Sequence, residues 1–294
     1  MKFQKVAPYL FVSPFFILYA IFGLYPTIYA LYLSFFDITG LGRGEFVKFG
    51  NYISLFSDTR FIKALWNTTY YAVGSIFIIL PIALILAILL NSKYIERLKG
   101  FFTTSFYLPL ITSAIVVAIM FTLVFDTEYG LLNALLRSFK LPTYRWLQEP
   151  RFGIPTLIIL GIWRYAGINA LYFLSGLQSI SEELQDAARI DGANKWQSFW
   201  YVTFPLLRPV TLFVVVQAII GSYNLFAEPF ILAGQGSGGA GAGDGMLMMT
   251  AYLYINGFRF LRMGYASAIG FILMIIIFIL TLLQLKFFRM GEID

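Results

Sequence analysis

Six stretches of this chain run for 20 residues or more with almost no charged side chain, at about residues 9–36, 68–90, 101–125, 154–177, 210–233 and 266–285. A helix needs about 20 apolar residues to cross the hydrocarbon core of a bilayer, and a membrane strand only about half that. Runs of this length therefore read as helices rather than barrel strands. Composition closes off a soluble alternative. Only 12% of the residues are charged and 59% are hydrophobic, with mean hydropathy +0.78, against about 25% charged in soluble domains. The expected fold class is all-α integral membrane, a six-helix transmembrane bundle forming one domain over residues 1–294. The first run, from about Pro8, exceeds the roughly 7–15 residues of a signal-peptide core and reads as a retained span. Pro14, Pro26, Pro81 and Pro109 fall in or near three of the runs, where neighbouring helices can re-satisfy the freed carbonyls.

The chain has no cysteine and no histidine. That removes disulfides, thiol nucleophiles, His–Cys metal sites and a Ser-His-Asp triad. No clustered carboxylates suggest a metal site. The net charge of +6 needs no nucleic acid, because basic residues ordinarily flank membrane spans. No phosphate-binding G-x-x-x-x-G-K-[ST] occurs, so any nucleotide that drives this protein belongs to a partner. The stretch "QGSGGAGAGDG", Gln235–Gly245, contains a formal G-x-G-x-x-G from Gly236 to Gly241. Without a preceding strand it fails as a dinucleotide motif, and it reads as a flexible external loop after the fifth span.

Six spans place both termini on one side, together with the short loop Asn91–Gly100. Lys2, Lys5, Lys93, Arg97, Lys99, Lys286 and Arg289 mark that side, which the positive-inside rule makes cytoplasmic. The opposite loops also carry many basic residues, Arg43 among them, but they are longer and weigh less. The expected location is the cytoplasmic membrane of a prokaryote, multi-pass, with both termini inside.

The loop between the fourth and fifth spans, about residues 181–207, is polar. It includes "DAARIDGANKWQSFWYVTFPLLRP", Asp186–Pro209. Ser181 reads as the N-cap of a short helix to Ile190, with Glu182 and Glu183 where the helix dipole favours them. Asp191-Gly192 ends it, since glycine adopts the left-handed conformation cheaply. Asn194 caps a second short helix, Lys195–Val202, which Pro205 and Pro209 end. Small residues on the first helix invite close approach by another surface. An amphipathic connector lying on lipid headgroups has the same pattern.

This loop resembles the signature loop of binding-protein-dependent ABC importer permeases, E-A-A-x-x-D-G-A followed by an aromatic residue and L-P-x-x-x-P. The match falls on Ala187, Ala188, Asp191, Gly192, Ala193, Phe199, Pro205 and Pro209. Asp186 stands where the family usually has Glu, and Phe204 where Leu is common. "YPTIYALYLSF" (Tyr25–Phe35), "WNTTYYAV" (Trp66–Val73), "GLQSI" (Gly176–Ile180) and "GFRFLRMGYASAIGF" (Gly257–Phe271) are similar to carbohydrate-uptake permeases, in the sugar and glycerophosphodiester branch and near the F-type maltose permease. The family's T-x-G-G-P element is replaced by the glycine-rich Gly234–Gly245. The resemblance implies a non-enzymatic permease subunit of an ATP-driven sugar importer. It implies a second homologous permease, two cytoplasmic ATPase subunits that hold the ATP and Mg, and an extracytoplasmic solute-binding protein. This chain itself would bind no cofactor. The polar loop becomes the coupling helix, with Asp186, Ala187, Ala188, Asp191, Gly192 and Ala193 against the ATPase and Asp186 meeting a basic residue there.

Two ionisable residues lie inside the expected spans, Arg164 and Glu228, and such residues are functional candidates by default. Gln217, Gly221, Asn224 and Glu228 recur at helical spacing. Amides and aromatic platforms suit a sugar. Trp163, Arg164, Asn169, Tyr223, Asn224 and Glu228 are therefore the candidate substrate path. Arg164 and Glu228 also read as a structural ion pair, or Glu228 as lying at the external boundary. Arg164 also keeps an anionic solute such as a glycerol phosphate open, and Glu228 an ion-coupled secondary transporter.

Overall fold

The chain was described in a computed structural model, which covers residues 2–40, 42, 44–234 and 237–289. Arg43, Gln235 and Gly236 lie outside the described residues, as do the side chains of Lys2, Lys5, Lys93 and Arg289. The described chain is helical almost throughout. In order it forms α1 (Lys2–Tyr19), α2 (Tyr25–Leu33), a two-residue hairpin pair β1 (Phe36–Asp37) and β2 (Glu45–Phe46), α3 (Gly50–Ser57), α4 (Thr59–Gly74), α5 (Leu80–Leu90), α6 (Lys99–Ile111) and α7 (Ala114–Val124). There follow α8 (Leu131–Ser138), α9 (Gly153–Gln178), α10 (Glu182–Ile190), α11 (Lys195–Ser198), α12 (Phe204–Leu206), α13 (Arg208–Tyr223), α14 (Ala227–Leu232), α15 (Met249–Tyr254) and α16 (Met263–Arg289).

Proline accounts for much of the irregularity. It lacks an N–H and its ring clashes with the carbonyl four residues back, and a local π turn relieves both. Such turns occupy Ala20–Leu24, Ser75–Ile79 and Phe199–Thr203. Each ends two residues before a proline, Pro26, Pro81 and Pro205 in turn. The first two keep their spans continuous, giving helical stretches Tyr9–Leu33 and Thr59–Leu90. With Pro150–Gln178 and Met263–Phe288 these make four uninterrupted stretches long and apolar enough to cross a membrane.

Two of the six expected spans are broken. The run 101–125 bends by 96° between α6 and α7, where Thr112 and Ser113 are extended three and four residues beyond Pro109. The run 210–233 does not continue as one helix, since α13 ends at Tyr223 and α14 starts at Ala227. The second helix of the polar loop also differs from expectation. It runs past Val202 to Leu206 through the π turn, then bends by 66° into α13.

Contacts divide the chain into two units. The first comprises the chain up to Phe61 and Tyr252–Met274. Its stretch Tyr9–Leu33 has no buried residue in its most apolar window. Asp58 is a polar node of this unit. It caps α4 through the backbone N–H groups of Arg60 (2.9 Å) and Phe61 (3.3 Å) and accepts the hydroxyls of Tyr252 and, at 2.6 Å, Tyr265. Partial burial raises its pKa, but the two tyrosine and two backbone hydrogen bonds outweigh this and hold the carboxyl below its ordinary value.

The second unit comprises Ile62–Ala251 and the chain from Ile275. Its core is built on α5, α9 and α13, with Leu80, Ala83, Ala87, Ala170, Phe173, Leu174 and Val214. Ala83, Ala87 and Ala170 are fully buried, and small residues at such contacts let membrane helices approach closely, where dispersion is strongest. The glycine-rich segment corrects its composition. Residues 238–249 pack into this unit rather than forming a flexible loop. Gly239 has φ +86°, and a Cβ there would lie 2.2 Å from the Phe230 ring. Met246, Leu247, Met248 and Met249 are buried, and Asn67 Nδ2 donates to the carbonyls of Asp244 (2.8 Å) and Leu247 (3.1 Å). Glycine here serves left-handed turns and close approach.

Candidate functional site

A cavity of about 210 Å³ opens within the second unit. Helix α9 presents Tyr165, Ile168, Asn169 and Tyr172 to it, and α13 presents Gln217, Ala218, Gly221 and Ser222. Both sets follow the spacing of one helical face. Tyr71 from α4, Ser75 at the start of a π turn, Leu110 just before the α6–α7 bend and Leu225 complete the lining. Three tyrosines, two amides and two serines give aromatic surface and uncharged hydrogen-bonding groups. No lining residue carries a charge.

The six candidate substrate-path residues separate. Asn169 lines the cavity, donating its Nδ2 to Tyr165 O within its own helix at 2.8 Å. Arg164 and Glu228 lie outside the lining and face each other, with Arg164 Nε 3.1 Å from Glu228 Oε1. The distance is that of an ion pair, but the Nε–H is not aligned for a hydrogen bond, and Arg164 Nη1 has no hydrogen-bond partner among the described residues. Glu228 is 4% exposed and Arg164 7%, so both are buried within the protein. Trp163 packs its ring 5.5 Å from that of Phe121. Tyr223 is buried, its hydroxyl 2.9 Å from Thr69 Oγ1. Asn224 is exposed and donates to Ile220 O at 2.8 Å. The stripe from Gln217 to Glu228 is interrupted because α13 stops at Tyr223; Gln217 and Gly221 reach the cavity, whereas Asn224 and Glu228 do not. Tyr71, Ser75, Tyr165 and Tyr172 were missed as cavity residues. The α9 face at i, i+3, i+4 and i+7 was the available signal.

The polar loop follows its sequence closely. Ser181 Oγ accepts from Glu183 N at 3.2 Å, and α10 has no buried residue. Gly192 has φ +82°. Gly192 N donates to Arg189 O (3.0 Å) and Ala193 N to Ala188 O (2.9 Å), the paired bonds of a Schellman motif. Asn194 and Gln197 form a reciprocal capping box with both bonds at 2.9 Å. The loop is thus two capped helices joined by one hydrogen-bonded turn. Asp186 is paired within α10 to Arg189 Nη1 at 2.9 Å, with both side chains exposed, so a partner's basic residue would have to compete with Arg189. Ala187 and Ile190 are exposed, Ile190 to 86%, leaving apolar surface at the helix end.

Residues 79–289, more than half the chain, match the family of binding-protein-dependent transport system inner membrane components. The chain is 39% identical over 284 residues to the arabinooligosaccharides transport system permease protein AraP of Bacillus subtilis (strain 168), covering 96% of this chain and 88% of that protein. It is 34% identical to the lactose transport system permease protein LacF of Rhizobium radiobacter, covering 96% and 94%. Its fold matches a chain of a bacterial ABC transporter involved in the import of the acidic polysaccharide alginate, with TM-score 0.83 and 24% identity over 98% of this chain and 97% of that one. The chain therefore belongs to the binding-protein-dependent transport system inner membrane components, as a helical membrane permease and not an enzyme.

Proposed function

We propose that this chain is one of two permease subunits of an ATP-driven importer for a sugar or oligosaccharide, and that the α9–α13 cavity is part of the substrate path. The observation that carries this reading is the uncharged lining. Sugar hydroxyls need paired donors and acceptors, which Asn169, Gln217, Ser75 and Ser222 supply, and the apolar face of a sugar ring stacks on tyrosines such as Tyr71, Tyr165 and Tyr172. The names of the two sugar-permease relatives support the same class. A volume of about 210 Å³ is below the roughly 300–1,000 Å³ of a complete small-molecule site. The second permease would supply the opposing wall.

In this reading α10 and its Schellman turn dock on a cytoplasmic ATPase, which holds the ATP and Mg. Both termini face the cytoplasm, and an extracytoplasmic binding protein delivers the sugar. Closure of the ATPase pair displaces α10 as a unit, and α11 transmits the movement to α13, which bears part of the cavity lining. Only contacts that differ between the two states can shift the equilibrium. The test is uptake of labelled sugar by proteoliposomes containing the assembled transporter and its binding protein. Uptake that requires ATP supports the reading. Uptake by this chain alone without ATP contradicts it.

A further inference from the structure

Among the described residues only two charged side chains are buried, Arg164 and Glu228. Tyr165 joins them to the cavity. Its side chain belongs to the lining, its hydroxyl donates to Glu228 Oε1 at 2.7 Å, and its ring centroid is 5.7 Å from the centre of the Arg164 guanidinium. The ion pair thus stands one side chain behind the wall. Glu228 Oε1 faces both the tyrosine hydroxyl and Arg164 Nε, while Arg164 Nη1 has no hydrogen-bond partner among the described residues.

We propose that Glu228 sets the charge selectivity of the cavity: by neutralising Arg164 it keeps the path suited to uncharged sugars, and without it the path would accept acidic ones. This rests on the sugar-path reading above. A guanidinium left uncompensated one side chain behind the wall attracts a carboxylate in the cavity through a low-dielectric interior, so an Arg164 freed of its partner would favour a uronate. A fold with TM-score 0.83 to this one occurs in an importer of an acidic polysaccharide, so the backbone alone does not exclude anions and side chains must decide. Stability is a weak reason for the pair, because buried ion pairs can often be replaced by apolar residues without loss.

The test uses the complete transporter in nanodiscs, with binding measured by equilibrium dialysis. The binding protein is omitted so that delivery does not filter the ligands. The probes are a neutral hexose trisaccharide and the trisaccharide of the corresponding hexuronic acid. Wild type should favour the neutral sugar. Glu228→Gln should shift the acidic-to-neutral affinity ratio by about tenfold or more toward the acid, the scale of one uncompensated charge acting across a single side chain of low-dielectric interior. Arg164→Gln combined with Glu228→Gln should restore the wild-type ratio, because no charge then remains. Should Glu228→Gln fail to assemble, Arg164→Gln leaves the Glu228 carboxylate uncompensated and should shift the ratio the opposite way, toward the neutral sugar, by several-fold. An unchanged ratio in an assembled single variant overturns the proposal alone. Failure of wild type to bind either sugar overturns the sugar-path reading and the proposal with it.

Discussion

Tyr165 donates its hydroxyl to Glu228 Oε1 at 2.7 Å, which ties the wall of the cavity to a side chain that lies outside the lining. The contact separates residues that can meet substrate from residues that hold those in place. Asn169 and Gln217 belong to the first group, and Asn224, bonded to its own helix at Ile220 O, to neither.

Gln217→Ala and Asn169→Ala should each lower sugar uptake by roughly 2- to 12-fold, corresponding to one neutral hydrogen bond of about 0.5–1.5 kcal/mol. Basal ATPase activity and assembly should be unaffected. Asn224→Ala should leave uptake within about two-fold of wild type. Transport assays on the three variants separate the cavity face from the rest of the α13 stripe, and loss of uptake confined to Asn224→Ala would relocate the path.

Gly192 has φ +82° with open space around its missing Cβ, so substitution meets a conformational penalty and not a clash. Gly192→Val should cost on the order of 1–2 kcal/mol in backbone strain and misalign α10 relative to α11. ATP hydrolysis should then be uncoupled from uptake while the spans still insert. Normal coupling in this variant would mean that the turn does not set the geometry.

Asp58 accepts hydroxyls from Tyr252 and Tyr265 and caps α4. Because its folded pKa is depressed below the ordinary 3.8, its contribution is fully present above that value and is lost as pH falls through the folded pKa. Asp58→Ala should destabilise the protein by about 1–2 kcal/mol at pH 7, the scale of a lost N-cap. Melting curves of the detergent-solubilised protein should show the difference from wild type shrinking below about pH 4. A difference independent of pH would show that the carboxylate charge is immaterial.

Much of the fold was legible because membrane helices announce themselves by length and hydropathy, and the turn at Gly192 because glycine there has one physical use. The break at Thr112–Ser113 was not, since the half-exposed bend there leaves no mark on an apolar run beyond Pro109. The end of α13 at Tyr223 was hidden for the same reason, and it removed Asn224 and Glu228 from the cavity face. Arg164 and Glu228 stood out as charges in apolar spans, yet each had the other as partner, so their visibility did not make them lining residues. The glycine-rich segment misled because composition does not distinguish glycines used for freedom from glycines such as Gly239 used for close approach.

Ser237 is exposed, and its Oγ bonds back to Ala233 O at 2.8 Å. With no native cysteine in the chain, Ser237→Cys offers a single thiol on the glycine-rich segment. It should react with an impermeant reagent in intact cells. Reaction only after permeabilisation would reverse the proposed orientation.

The most direct measurement of the central claim uses Gly221, a lining residue of the cavity where a Cβ would meet nothing within 4 Å. A single cysteine at this position can be labelled in the complete transporter with a small thiol reagent, with and without substrate-loaded binding protein and ATP. The account expects labelling to be slowed when sugar and ATP are both present, because sugar passes this face of α13. A labelling rate unchanged by sugar in every nucleotide state, in a variant that still transports, would contradict it.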